Sequence, residues 1–434
     1  MLHGVTETCG KSLAACQNSA MKLLHAMGAG ALLALSMVGC SRKPAAQPWL
    51  GAPVPVATPA AAGARFPHLS AGPSGRPVVM SWLEPATAPG EFRLRYAEWQ
   101  PGRGFGAPIE VATGKDWFVN WADFPSVVPA NDTGGVAAHW LQQKPGGTYA
   151  YDVMTRLSAD GGKTWSAPRS PHDDGTATEH GFVSLATVAG RPYAVWLDGR
   201  RTGGEGHGHE DHGSAQGAMT LRGAALTPDG AVAGVEIDDR VCDCCGTDAA
   251  TTSDALLVVY RNRTHDETRD IQAARLVNGA WSAPVTVHQD AWRIDACPVY
   301  GPAVAARGDD VAVAWFTAPD QPRVRLAFSA DGGRTFSPPH EVAGGKVAGR
   351  VDVVLLADGR AVVSWLAETP DGASIRAQPF TRQGAAGPAI DVATSDVARS
   401  SGFPQMLETG GGLLFAWTGN ESGPAVRVGF APLH

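Results

Sequence analysis

Residues 190 to 196 read GRPYAVW, a turn followed by a short apolar strand that ends on an aromatic residue, and this phrase recurs along the whole chain. Its copies are GRPVVMSW, GGVAAHW, DALLVVY, DDVAVAW, GRAVVSW and GGLLFAW, so that Trp82, Trp140, Trp196, Tyr260, Trp315, Trp365 and Trp417 hold equivalent places. The steps between them run from 50 residues, Trp315 to Trp365, to 64, Trp196 to Tyr260. Modules of this length, built from β-branched and aromatic runs with almost no amphipathic helix signal, predict four-stranded blades. The expected fold is all-β: a propeller of seven four-stranded blades, with a distorted six as the alternative. The 53 glycines and 32 prolines, spread along the chain, agree with many short strands joined by turns.

Each module subdivides. In the first, FPHLS, PVVMSWL, FRLRYAEW and FGAPIEVA supply the inner, second, third and outer strands, and the outer phrase returns as WSAPRS, WSAPVTV and FSPPHEV. The last module stops one strand short, whereas WLGAPVPVA at residues 49 to 57 carries the outer phrase with no strands before it. The N-terminal strand is therefore expected to complete the last blade, which removes an unpaired sheet edge.

Ahead of the propeller, residues 21 to 40 read MKLLHAMGAGALLALSMVGC: one lysine, an apolar run too short for a comfortable membrane span, then small residues before a cysteine. This is the pattern of an export signal. Met37, Val38, Gly39 and Cys40 resemble the lipobox of bacterial lipoproteins, which implies a lipid on Cys40 and a membrane anchor. Residues 1 to 20 carry no apolar run and read as a mis-assigned start, 21 to 39 as signal peptide, 40 to 47 as a tether and 48 to 434 as the propeller. Ser41 after the cysteine favours outer-membrane sorting in such lipoproteins. The compartment permits disulfides.

The composition is 44% hydrophobic and 18% charged, with a net charge of −7 and no Lys/Arg block. That argues against nucleic acid as a partner and against a polybasic membrane-surface helix.

Two turns between third and outer strands read SADGGKTW and SADGGRTF. In them Asp160 and Asp331 are placed to accept backbone N–H bonds while glycines take positive φ, with Ser158, Gly162, Thr164 and Trp165 matched by Ser329, Gly333, Thr335 and Phe336. These turns resemble the Asp box, S-x-D-x-G-x-T-W, and with the repeat they make the chain similar to sialidase-like propellers. The resemblance implies the fold and puts these turns on the face opposite an active site. Other family marks are unmatched: ARFPHLS is a faint echo of the Arg-Ile-Pro motif, and none of the tyrosines falls in blade 6 or 7, where the family's nucleophile sits.

In such a blade the loop between second and third strands and the crossover to the next blade open on one face. That face is expected to gather Asp198, Arg200, Arg261, Arg263, Arg269, Arg293, Asp295 and His180, with Trp117 and Trp121 of DWFVNWADFP arriving from the crossover into blade 2. Arg261, Arg263 and Arg269 offer bidentate donors to a carboxylate, or else form a solvated ion-pair network with Asp266, Glu267 and Asp270. Asp198 is a candidate acid, and Glu368 or Glu421 a candidate base.

The phrase DRVCDCCGTDAA packs Cys242, Cys244 and Cys245 into four positions, and Cys297 lies at the adjoining crossover. Three readings stand: disulfide crosslinks between blades, a thiolate metal site for Cu(I) or Zn, or a redox pair. EGHGHEDHG adds His207, His209 and His212, a solvated polar loop or a weak site for Zn, Cu or Ni. The function expected is that of an envelope-anchored propeller binding a small molecule, glycan or metal at a Cys/His/Arg-rich rim. The alternatives are an exo-acting glycosidase of sialidase type and a scaffold that docks another envelope protein.

Overall fold

The computed structural model describes residues 48 to 72, 76 to 131, 133 to 203, 217 to 231 and 234 to 434. Cys40, the leader and tether readings, and His207, His209 and His212 fall outside the described residues.

Seven sheets form the ring. Their innermost strands are Arg65–Ser70, Ser126–Pro129, His180–Val188, Asp248–Thr251, Ala303–Arg307, Val347–Leu355 and Gln405–Thr409, each followed by an antiparallel second and third strand. Blade 7 is completed by Val54–Val56, which pairs with Ala425–Pro432 in the register Val54 to Phe430. The chain's first described strand thus latches its last sheet. In blade 2 the outer strand is reduced to a bridge between Thr155 and Arg169.

Burial explains why the second strands read as continuous apolar runs. Val78–Pro85 is buried at all but its final position, whereas the outer strand Ile109–Gly114 alternates. A second strand is covered on both faces by neighbouring blades, so both of its side-chain rows need apolar residues. The repeated aromatic fills the gap to the preceding blade. Trp82 packs with Leu414 and Val428 of blade 7, Trp196 with Leu141 and Val153 of blade 2, and Trp315 with Leu257 and Val259 of blade 4. These three indoles are fully buried. Truncating one to alanine would cost about 3–5 kcal/mol.

On one face the turns Ser158–Trp165 and Ser329–Phe336 are closed alike. Asp160 accepts from the Thr164 N–H and hydroxyl at 2.9 and 2.7 Å, and Asp331 from those of Thr335 at 2.9 and 2.6 Å. Ser158 and Ser329 accept the N–H of Gly162 and Gly333, glycines with φ of 82° and 85°.

The innermost strands surround a central channel of about 720 Å³, lined among others by His68, Asp123, Ser184, Asp248, Asp352 and Gln405. Its acids stitch the ring. Asp248 accepts the Val304 N–H of the next blade at 2.7 Å, and Asp352 that of Met406 at 2.6 Å.

Candidate functional site

The crossovers open on the face opposite the two serine–aspartate turns. Several innermost strands begin there with a β-bulge: register shifts between Arg65 and His68, Gly181 and Ser184, and Gly349 and Asp352 accompany positive φ at Phe66 (54°), Phe182 (52°) and Arg350 (51°). Bulges re-aim side chains, and left-handed non-glycine residues are held only where their surroundings over-determine them. Here they frame the mouth of the channel.

On the blade 2 and 3 side Asp123 lines the channel, with Tyr151 and Glu179 adjoining it. Tyr151 opens the third strand of blade 2, its ring stacked 4.1 Å from Phe118. Its hydroxyl is 2.9 Å from Asp123 Oδ2 and 2.6 Å from Glu179 Oε1. A phenol has one proton to give, so it can donate to only one carboxylate. The other contact is favourable only when that carboxyl is itself protonated and donates to the phenol oxygen. Geometry therefore calls for one proton shared on the acid pair.

Electrostatics agree. Burial raises Asp123 to about 7 despite the hydrogen bonds from Tyr151 and the Phe182 N–H that favour its ionised form. Burial also raises Glu179 to about 8, with further help from the charges of Asp123 and Asp243 and in spite of the Tyr151 bond. Tyr151 is pushed well above its usual value by burial and by both carboxylates. The loop carrying Asp123 is fixed by Asn120, whose side chain accepts the Ala122 N–H at 2.8 Å, and by the Phe182 N–H on Asp123 Oδ1 at 2.7 Å.

Asp198, read from sequence as a candidate acid, is fully buried and structural. It accepts the Trp196 indole N–H at 2.9 Å and two Arg200 donors at 2.6 and 2.8 Å. Glu84 does the same for Trp82 in blade 1 at 2.8 Å, which identifies the pair as a device for burying an indole N–H. Burial would raise Asp198, but Arg200, the charge of His180 and Trp196 outweigh it and hold the carboxyl below its ordinary value. It is no proton donor at neutral pH. His180 lies beside it, stacked 3.9 Å from His172, with Nε2 3.1 Å from Asp174 and 3.7 Å from Asp198.

The arginine reading is corrected as well. Arg261 is 1% exposed and donates to the carbonyls of Tyr300, Arg269 and Phe316 at 2.9, 2.6 and 2.6 Å, with its guanidinium 4.9 Å over Trp292. Burial lowers it to about 9, so it stays charged at neutral pH while stapling three loops. Arg263 holds Glu267 and Asp243, and Arg269 holds Glu267 at 2.7 Å. All three are buried in an interior network, in which carbonyls take the donors of Arg261 and carboxylates those of Arg263.

Trp117 stacks 5.7 Å from Trp140 in the core between blades 1 and 2, and is not a ligand platform. Trp121 does reach the mouth region: half-buried, it lies 5.7 Å from Phe403, with Arg350 4.9 Å and Arg399 6.0 Å from its ring. Arg293 and Asp295 are exposed on the crossover between blades 4 and 5. Glu368 and Glu421 are exposed in blades 6 and 7, across the ring from Asp198.

The cysteines are brought together. Cys242 is bonded to Cys245, and Cys244 to Cys297. The two crossovers that carry them press against each other where Gly301 meets Gly246, so closely that a side chain on Gly301 would overlap the Gly246 carbonyl. Asp243, between the cysteines, accepts from the Met219 N–H and from Arg263.

Asp123, Tyr151 and Glu179 were not signalled by the sequence. They come from the crossover into blade 2, the third strand of blade 2 and the crossover into blade 3, and no local motif marks them.

No protein-family model matches the chain, and no curated protein does. Among solved structures it is similar to a protein of unknown function from Dyadobacter fermentans, at 15% identity and a TM-score of 0.48 over 72% of this chain and 94% of that one. It is similar to the GH93 alpha-L-arabinofuranosidase of Fusarium graminearum, at 13% identity and a TM-score of 0.48 over 88% of this chain and 97% of that one. It is also similar to the NanB sialidase from Streptococcus pneumoniae, at 9% identity and a TM-score of 0.43 over 88% and 93%. The strand pairing makes the chain a seven-bladed β-propeller, and the likeness to these proteins extends to the fold alone.

Proposed function

We propose that the chain is a glycosidase-type propeller that takes a terminal sugar at the channel mouth beside blades 2 and 3. The observation that carries this reading is the Tyr151 hydroxyl held between Asp123 and Glu179. Both carboxyl oxygens lie within one hydrogen-bond length of a common atom, so they stand no farther apart than the roughly 5–5.5 Å separation that retaining glycosidases use. Glu179, half-buried and raised to about 8, supplies the proton for the leaving oxygen. Asp123, on the channel wall and raised by burial to about 7, is the partner carboxylate. Tyr151 is fully buried and acts as a positioning residue that carries the proton between them.

The test is release of a fluorophore from a panel of glycosides, sialoside and arabinofuranoside included, with wild type and Glu179→Gln. Turnover that falls at least about 100-fold in the variant supports the assignment. No turnover by wild type, or turnover indifferent to Glu179, refutes it.

Export and lipid anchoring through Cys40 are part of the proposal, supported by the sequence of residues 21 to 40. Labelling with a radioactive fatty acid in a bacterial host, lost in Cys40→Ala, is the expected result. Unlipidated protein in the soluble fraction would contradict it.

A further inference from the structure

The four cysteines at the junction of blades 3, 4 and 5 raise a question that crosslinking answers only in part. Cys244–Cys297 joins residues 53 apart in sequence and ties two crossovers together. Cys242–Cys245 joins residues only 3 apart. Loop-closure entropy grows with loop length, so the second bond adds only about half as much as a crosslink. Yet it places two further sulfurs against the first pair.

The Sγ atoms of Cys242, Cys244 and Cys245 all lie within 4.8 Å of one another, and Cys297 is bonded to one of them. Four sulfurs therefore share one small volume. A tetrahedral thiolate site with metal–sulfur bonds of about 2.3 Å needs sulfurs roughly 3.8 Å apart. The pocket is dry on three sides: Cys242, Cys244 and Cys245 are 0, 5 and 1% exposed and pack among Phe182, Met219, Val241 and Tyr260. Cys297 is half-buried and marks the side open to a metal. The neighbouring carboxylate of Asp243 is engaged by Arg263 and the Met219 N–H, which leaves sulfur as the donor on offer. Sulfur donors select soft d10 cations over hard ones.

We propose that Cys242, Cys244, Cys245 and Cys297, once reduced by a dithiol, bind one soft d10 cation, Cu(I) or Zn(II). The reduction is balanced: each disulfide takes two electrons and two protons from one dithiol, which leaves as its own disulfide, so two dithiols convert the tetrad to four thiols. Metal binding then replaces the thiol protons, which pass to solvent. This proposal is tested separately from the acid pair beside the channel.

The test uses the full chain, reduced with dithiothreitol, desalted without oxygen, and supplied with Zn(II) in one arm and a Cu(I) complex in the other. Bound metal is counted by elemental analysis after a second desalting, and free thiols by alkylation. The expected result is one equivalent of metal, protection of the four propeller cysteines from alkylation, and loss of that equivalent in the double variant Cys242→Ser, Cys245→Ser. That variant retains Cys244–Cys297 when oxidised, and its circular dichroism and melting curve show whether the propeller is intact. A triple variant at His207, His209 and His212 tests the alternative ligands and is expected to keep the metal. Uptake of neither cation by the reduced chain overturns the proposal. So does uptake that survives alkylation of the thiols, persists in the folded double cysteine variant, or disappears in the histidine variant. If reduction unfolds the chain and neither cation restores the fold, the proposal is likewise overturned.

Discussion

The backbone of Gly181 lies so close to the carboxylate of Asp123 that a side chain at 181 would overlap Oδ2. The glycine therefore decides where the acid sits. Asp123 fills the space that a β-carbon would occupy, accepts the N–H of Phe182 one residue further on, and meets Tyr151 from there.

Gly181→Ala should accordingly displace Asp123 and break its contact with Tyr151. Overpacking of this kind costs about 1–3 kcal/mol. The expected outcome is a folded but less stable protein, measured by urea denaturation, in which glycoside turnover falls more than stability does. Full turnover in the variant would show that Asp123 need not stand where it is.

Stability should fall as pH rises above neutrality. Glu179 and Asp352 are raised to about 8, and Asp123 to about 7, each chiefly by burial. A carboxyl raised in the folded state makes the fold bind more protons than the unfolded chain, so its contribution is lost as pH climbs toward the folded value. Below about pH 6.5 the effect is opposed by His68 and His139, lowered by burial to about 4 and about 3, because the unfolded chain must protonate them. Between pH 7 and 8.5 only the carboxyl effect remains. Melting temperature is expected to drop across that range, and less steeply in Asp352→Asn. A flat profile would contradict the raised values.

Arg261 separates a structural from a catalytic reading. Arg261→Met leaves the carbonyls of Tyr300, Arg269 and Phe316 without their donor, at about 1–3 kcal/mol for each unpaired buried group. The variant should be severely destabilised, while the folded fraction keeps the KM of wild type for any glycoside it turns over. A raised KM with unchanged stability would return Arg261 to the binding site.

Removing the long-range crosslink is the costlier of the two disulfide changes. In the chain-entropy view a loop of this length is worth about 4 kcal/mol, and the short one about half that. Cys297→Ser should lower the urea midpoint of the oxidised protein clearly more than Cys245→Ser does.

Much of the ring is legible in the sequence because its determinants are local and repeated. Each of Trp82, Trp196 and Trp315 ends an apolar run that two neighbouring blades cover, and the lone outer phrase at residues 49 to 57 is read as the closing strand that the Val54 to Phe430 pairing shows. The convergence of Cys297 on Cys244 is also legible, because adjacent crossovers on one face must meet. The acid site is not. Asp198 and Arg261 look catalytic as residue types, and only the structure shows the indole that claims the first and the carbonyls that claim the second. Asp123, Tyr151 and Glu179 carry no spacing that a sequence could betray, since their meeting depends on a bulge at Phe182 and the bare backbone of Gly181.

The central claim is that the acid pair bridged by Tyr151 holds a proton at neutral pH. Infrared difference spectroscopy of the carboxyl C=O stretch, titrated from pH 5 to 9 in wild type and Glu179→Gln, measures this directly. A protonated-carboxyl band that persists at pH 7 in wild type and is diminished in the variant is the predicted result. Identical spectra for the two proteins, or a Glu179 band already lost by pH 5.5, would contradict it.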